Sequence, residues 1–415
     1  MDGDVLEESD QNRKETEVEE QTNVDDNAEV DLLNLPPEIF LHICSYLNAK
    51  FILTTLTVVC KSLHALLSDA STWKIRLTKR WMQRYPPIPV DDETFNWKLA
   101  CMEREEQCRL WSEYEKNMHF KSFTSGIYAP VDTVHLGKGG RFVAAGSRDG
   151  NLHVWDLNKI REGCEEEDTI LHNKNVGKAW LWTVTSKDNI VTTGSWNSYI
   201  KFWDLEADCA EVFAVKCKSA VLCSLFVNDI LYAGCYNKEV YAIDSRVEKP
   251  IVFTTHRRSV LCLGADEKYV ISGSEDQTIK IVDRTAGKVF KTIEFEYFPM
   301  CLSYGLNQLW IGDKKGRLHL FNTNNHLFEP VMSCESGHNG KLTGVIHNLG
   351  SIMTGCTDSV VQVLHPSSKP SPICTITQHQ EAVAAIDFQN EVLVSGGCDA
   401  RIGLWWPVTE NRWRD

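Results

Sequence analysis

One block of ten residues occurs seven times in this chain: GSRDGNLHVW, GSWNSYIKFW, GCYNKEVYAI, GSEDQTIKIV, GDKKGRLHLF, GCTDSVVQVL and GGCDARIGLW. The leading glycines are Gly146, Gly194, Gly234, Gly273, Gly312, Gly355 and Gly396, spaced 48, 40, 39, 39, 43 and 41 residues apart. An apolar run precedes each glycine, a turn follows it, and a run of alternating apolar and polar residues comes next. Alternation is the period of a strand. A strand-turn-strand unit recurring about every 40 to 45 residues is that of a propeller blade, which buries its faces only by stacking on its neighbours. The repeats predict a seven-bladed, all-β propeller over residues 120–406. The fifth block, with Asp313-Lys314-Lys315-Gly316, fits the pattern least well.

The last repeat finishes at Trp405-Trp406, leaving Pro407 to Asp415, too little for its outermost strand. Phe120 to Ser125, ahead of the first repeat, is predicted to supply that strand. Such pairing of first with last removes the open edges that invite aggregation.

His256, His338 and His379 each precede an acid by twenty residues, namely Asp276, Asp358 and Asp399. This pattern resembles the WD-repeat family, in which a His, an Asp, a Ser or Thr and a Trp form a buried network within a blade. The resemblance implies that role for His256, Ser272 and Asp276, for His338, Thr354 and Asp358, and for His379, Ser395, Asp399 and Trp405. A single His-Asp-Ser trio would suggest a hydrolase. Recurrence at one spacing in three repeats argues for structure. Other blades depart: Ala145, Ala233 and Ile311 replace the hydroxyl, and Val282, Phe321 and Leu364 replace the Trp.

The formal charge of −14 on 415 residues is unevenly placed. Residues 1–31 hold 13 acids against Arg13 and Lys14, a net −11, leaving −3 for the rest. So acidic and apolar-poor a head predicts a disordered tail. The near-neutral remainder gives no general attraction to nucleic acid or anionic lipid. No apolar stretch reaches the roughly 20 residues of a membrane helix. The start, MDGDVLEESD, is not a secretory signal. Fifteen scattered cysteines without any C-x-x-C read as reduced thiols. The expectation is a soluble intracellular protein, cytoplasmic or nuclear. Phosphate-loop, zinc-pair, G-x-S-x-G and kinase signatures are missing, so neither catalysis nor a cofactor or metal is expected.

Residues 32–81 change period. Pro36 and Pro37 suit a first helical turn, and Ile39, Ile43 and Leu47 recur at every fourth position. Phe51 to Val59, Ser62 to Leu67, and Trp73, Leu77 and Trp81 continue helical spacing. Three or four short helices cannot hide so many apolar faces, which is a signal for a partner. The wording LPPEIFLHICSYL, with Val59-Cys60-Lys61 and the late Trp73, resembles an F-box. That resemblance implies docking to the small adaptor of SCF-type cullin ubiquitin ligases, and through it to a cullin. The matching positions are Leu35, Pro36, Ile39, Val59, Cys60, Lys61 and Leu63.

Residues 82–119 read as a structured linker. Tyr85-Pro86-Pro87-Ile88-Pro89 must run extended. Trp97, Cys101, Arg104, Cys108 and Trp111 then share one helical face, with the glutamates of the segment placed around the sides.

An F-box followed by WD repeats resembles the F-box/WD-repeat substrate receptors, which hold a target near the ligase without doing chemistry. The alternative is a WD-repeat scaffold whose F-box governs its own turnover. The family's ligand-receiving rim, transferred by register, gives Arg148, Lys178, Trp180, Trp196, Lys218, Tyr236, Arg257 and Arg258. Five basic and three aromatic residues there predict an acidic or phosphorylated segment of a protein substrate across blades one to four.

Overall fold

The computed structural model describes residues 35–408 apart from positions 82, 125, 178, 248 and 255. The acidic head and most of the C-terminal tail therefore lie outside the described residues. The chain divides into two compact units, Met1–Leu47 and Asn48–Asp415.

The first unit contributes helix α1 (Pro37–Ser45), with proline at its first turn and Glu38 near the positive end of the helix dipole. Leu35 is half-buried at a bend before it, and Pro36, Ile39 and Ile43 are exposed. Two of the three stripe residues read from the sequence, Ile39 and Ile43, are thus open, and Leu47 is half-buried.

In the second unit come α2 (Ala49–Thr54), a 3-10 turn (Leu56–Val58), α3 (Lys61–Ser68), α4 (Ala70–Arg80), α5 (Trp97–Ser112) and α6 (Tyr114–Asn117). Side-chain acceptors end them at the N-terminus: Asn48 takes the amide of Phe51 at 3.0 Å, Asp69 that of Ser71, and Asn96 that of Leu99. Cys60 does the same for α3, its thiol accepting from the Leu63 amide, while Val59 and Lys61 are exposed. Leu63 departs from its expected place among the docking residues. It is only 5% exposed and faces inward with Leu67 one turn on, because α3 has no other apolar side to bury.

Glu105 on α5 joins these helices. Its carboxylate accepts from the Ala49 amide at 2.9 Å, from Arg76 Nε at 2.6 Å and Nη2 at 3.0 Å, and lies 3.1 Å from Arg80. The sequence placed this glutamate at the side of the helix, yet Glu105 and Glu106 are both buried. The reason is that α5 is covered on two sides. Away from Glu105, its Leu110 and Trp111 enter a core with Met118, Met353, Val363, Ile376 and Trp405 of the propeller. The preceding segment is fastened too. Tyr85 donates to the Leu349 carbonyl at 2.7 Å, and Ile88 is buried with Trp310 and Leu320. Arg104 lies between the rings of Trp81 and Tyr85, at 4.5 and 4.3 Å. Burial lowers its guanidinium to about 10.

Seven four-stranded antiparallel sheets follow, the blades. Their strands run from Val131 to Asn175, Leu181 to Lys216, Val221 to Thr254, Val260 to Glu294, Pro299 to Glu335 and Leu342 to Ile376; blade seven has three strands from Val383 to Pro407. The fourth strand of blade seven is Met118–Phe123, which pairs Met118 with Pro407 through Phe123 with Ile402. Closure is as expected, two residues earlier than Phe120. Blade five, the weakest repeat, is as regular as the rest, and Asp313 holds its turn through the amides of Lys315 and Arg317.

Gly350 marks how tightly α5 lies against blade six. A Cβ there would stand 2.5 Å from the Glu103 carbonyl oxygen. Gly350→Ala should therefore cost ~1–3 kcal/mol as the helix is pushed off its seat, read as a lowered melting temperature of the full chain. An unchanged melting temperature would mean that the helix is not seated there.

Candidate functional site: the propeller mouth

Each blade repeats two backbone features that together build an opening on the propeller axis. In every blade the innermost pair of strands slips register by one residue, at Val131/Thr133, Leu181/Thr183, Val221/Cys223, Val260/Cys262, Pro299/Cys301, Leu342/Gly344 and Val383/Ala385. The residue left out of the pairing is a bulge, and bulges re-aim side chains. Those residues are Asp132, Trp182, Leu222, Leu261, Met300, Thr343 and Ala384, all half-buried, and all lining one cavity of about 770 Å³. They form its throat.

Above the throat a second ring is set by one hydrogen bond per blade. The amides of Arg148, Trp196, Tyr236, Glu275, Lys314, Thr357 and Cys398 donate to the carbonyls of Pro130, Trp180, Ala220, Ser259, Phe298, Lys341 and Ala382. The backbone is thus the same seven times, and only the side chains distinguish one sector of the rim from another. The throat is mostly apolar, and the rim is aromatic in blades two and three.

That aromatic sector is continuous. Ring centroids of Trp180 and Trp182 are 6.0 Å apart, those of Trp180 and Trp196 6.1 Å, and those of Trp196 and Tyr236 5.9 Å. Trp180, Trp196 and Tyr236 remain 43, 49 and 57% exposed. Arg148 stacks 5.1 Å over Trp180 and is held by Asp132 through two bonds of 2.7 and 2.9 Å. The rim residues read from the sequence are therefore only partly brought together. Arg148, Trp180, Trp196 and Tyr236 meet at the mouth. Lys218 pairs with Glu239 at 2.9 Å, and neither it nor exposed Arg257 and Arg258 lines the cavity. Lys178 lies outside the described residues. The bulged throat residues were missed, since a register slip leaves no mark in the sequence.

Beneath the rim are the three histidine networks. The Nδ1 of His256, His338 and His379 lies 3.1, 3.0 and 3.1 Å from Asp276, Asp358 and Asp399. Their Nε2 atoms lie 2.8, 2.9 and 2.7 Å from the hydroxyls of Ser272, Thr354 and Ser395. A carboxylate only accepts, so Nδ1 carries the proton and Nε2 accepts from the hydroxyl. The aspartates also take the amides of Arg257, Asn339 and Gln380, tying the loop between blades to the turn within one. All three hydroxyls are fully buried, so no substrate reaches them and the triad-like geometry is structural. His338 and Asp358 also group with Cys356 closely enough to hold a cation, but both already have these partners.

Trp405 does not join its network. Its ring packs 4.9 Å from Phe120 in the closing seam, and its indole N–H has no partner among the described residues. The indole-to-hydroxyl bond occurs instead in blade two, from Trp203 to Thr193 at 3.0 Å.

Burial holds the imidazoles of His256 and His338 below their ordinary value, against the pull of their aspartates. His347, between Ser303 and the Gly305 carbonyl, is lowered by burial to about 4. An unfolded histidine titrates near 6.5, so below that pH the unfolded chain takes up protons the folded one refuses. Stability is then full above about pH 6.5 and falls as the pH drops toward 4. His347 alone accounts for roughly 3 kcal/mol of it, and His347→Gln should flatten the decline of melting temperature between pH 7 and 5. Asp399→Ala should cost ~1–3 kcal/mol at neutral pH by leaving His379 half-satisfied. A melting temperature independent of pH over this range would contradict the assignment.

Comparison with known proteins agrees with this architecture. An F-box-like family model matches residues 32–78, and a model of the WD domain, G-beta repeat, matches residues 121–156 and 248–283. The chain is 35% identical over 385 residues to the F-box/WD repeat-containing protein 9 of Homo sapiens, covering 91% of this chain and 83% of that protein. It is 26% identical over 401 residues to the F-box/WD repeat-containing protein mec-15 of Caenorhabditis elegans, covering 91% and 97%. A crystal structure of the computationally designed Ika8 protein superposes with a TM-score of 0.53 at 18% identity, over 68% of this chain and 98% of that one. That likeness concerns the fold alone. With its F-box-like segment, its seven closed blades and these relatives, the chain belongs to the F-box/WD-repeat proteins.

Proposed function

We propose that this chain is the substrate-recognition subunit of an SCF-type cullin ubiquitin ligase: its F-box docks the small adaptor, and its propeller mouth holds a target protein. The chain itself does no chemistry; it raises the rate of transfer by holding the target near the conjugating enzyme. The observation that carries the reading is exposed aliphatic surface in each of the two parts of the F-box segment. Ile39 and Ile43 on α1 are exposed, as are Val58 and Val59 in the turn before α3. Exposed aliphatic side chains grouped on a short segment mark a partner surface. Leu35, Pro36, Ile39, Val59, Cys60 and Lys61 are the proposed docking residues. Tight seating of α5 on blade six supports a stiff connection between α2–α4 and the mouth, as positioning demands.

In the double variant Leu35→Ala, Pro36→Ala, adaptor affinity should fall by at least ~2 kcal/mol, roughly 30-fold, with no change in propeller melting. Leu63→Ala should act in the opposite way, lowering the melting temperature through a cavity beside Leu67. Full co-purification of the adaptor with the double variant would sink the docking claim.

A further inference from the structure

The aromatic sector of the mouth says which kind of segment enters it. Resting on the receptor reading above, we propose that the mouth takes an unmodified segment of the target through one bulky apolar side chain. This side chain lies across Trp196 and Tyr236 and reaches down to Leu222, Leu261 and Met300 in the throat.

Three observations carry this. First, the cavity of about 770 Å³ is within the range of ligand sites, and its throat is apolar in five of seven blades. Second, the aromatic wall is preorganised: its rings touch one another, and backbone bonds that recur in every blade set their positions. Little ordering cost is left for binding. Third, among the described residues, the cations beside this wall, Arg148 and Lys218, are already answered. Arg148 is bound to Asp132 and Lys218 to Glu239, so a phosphate laid here would have to displace a carboxylate. Across the mouth, Lys314 of blade five lies 4.8 Å over the Phe298 ring and Lys341 of blade six lines the cavity, while Arg257 and Arg258 lie outside the lining. A second copy of the chain is a poor occupant, because two concave mouths facing each other leave both throats unfilled.

The test uses the full chain on an array of random dodecapeptides printed in three forms: unmodified, with Ser and Thr phosphorylated, and with Phe, Trp, Leu and Met replaced by Ser. The expected result is capture of unmodified peptides bearing one bulky apolar residue, and at least a tenfold loss when that residue becomes Ser. Trp196→Ala with Tyr236→Ala should lose the same peptides at least tenfold, whereas Arg257→Glu with Arg258→Glu should keep them. If the aromatic pair lowers the melting temperature, Met300→Lys gives the same test from the throat without touching the rim. Capture only of phosphorylated peptides, capture unchanged in the throat and rim variants, or no capture at all overturns the proposal. So does a wild-type dimer in sedimentation that the rim variant disperses. Adaptor co-purification is measured on the same preparations. Loss of the adaptor with peptides retained defeats the receptor reading alone, and the reverse defeats this site alone.

Discussion

The pairing of Met118–Phe123 with Ile402–Pro407 is the constraint on which the rest of the molecule depends. Without it blade seven would end in an open edge and the ring would have no defined axis. Closure also fixes the helical arm. The closing strand follows α5 and α6 directly, and Leu110, Trp111 and Met118 pack with Trp405 in one core. A single seam thus shuts the ring and fastens the arm. At the other side of α5, Glu105 gathers the Ala49 amide, Arg76 and Arg80. Removing one partner from such a buried cluster leaves charge without compensation, so the arm is held as a unit.

With the ring closed, repetition separates what is fixed from what is free. Seven bulges and seven equivalent amide bonds give every blade the same backbone at the mouth. The blades then differ at the mouth by two or three side chains each. In blade two these are Trp180, Trp182 and Trp196; in blade six they are Lys341, Thr343 and Thr357. The mouth has aromatic rings on one side and polar or basic groups on the other. The histidine networks below keep loops and turns in register and take no part in contact.

Much of this was legible in the sequence because it is written in local periods. The glycines and alternating runs gave the blades, and the missing last strand gave the closure, displaced by two residues because alternation in Met118–Phe123 has no sharp start. The His-to-Asp spacing of twenty identified three networks, which the structure forms. What could not be read is non-local. Glu105 looks like a solvated glutamate until α2 and α4 are brought to it. Leu63 and Trp405 carry their family's pattern, but Leu63 is buried with Leu67, and Trp405 is taken into the core with Leu110, Trp111 and Met118. The throat residues are set by a slip between two strands, visible only once the strands are paired. The rim expectation gave Arg148 and the aromatics their place, but gave no sign that Asp132 and Glu239 would answer two of the cations.

The account's central claim is that capture at the mouth leads to turnover through the F-box, and one measurement separates it from a scaffold that controls only itself. Cells depleted of the chain are rescued with the wild type or with Leu35→Ala, Pro36→Ala, and the half-lives of proteins captured by the propeller are followed after translation is blocked. The receptor account predicts that captured proteins live longer and accumulate on the variant. Unchanged half-lives of every captured protein, with only the chain itself stabilised, would contradict it.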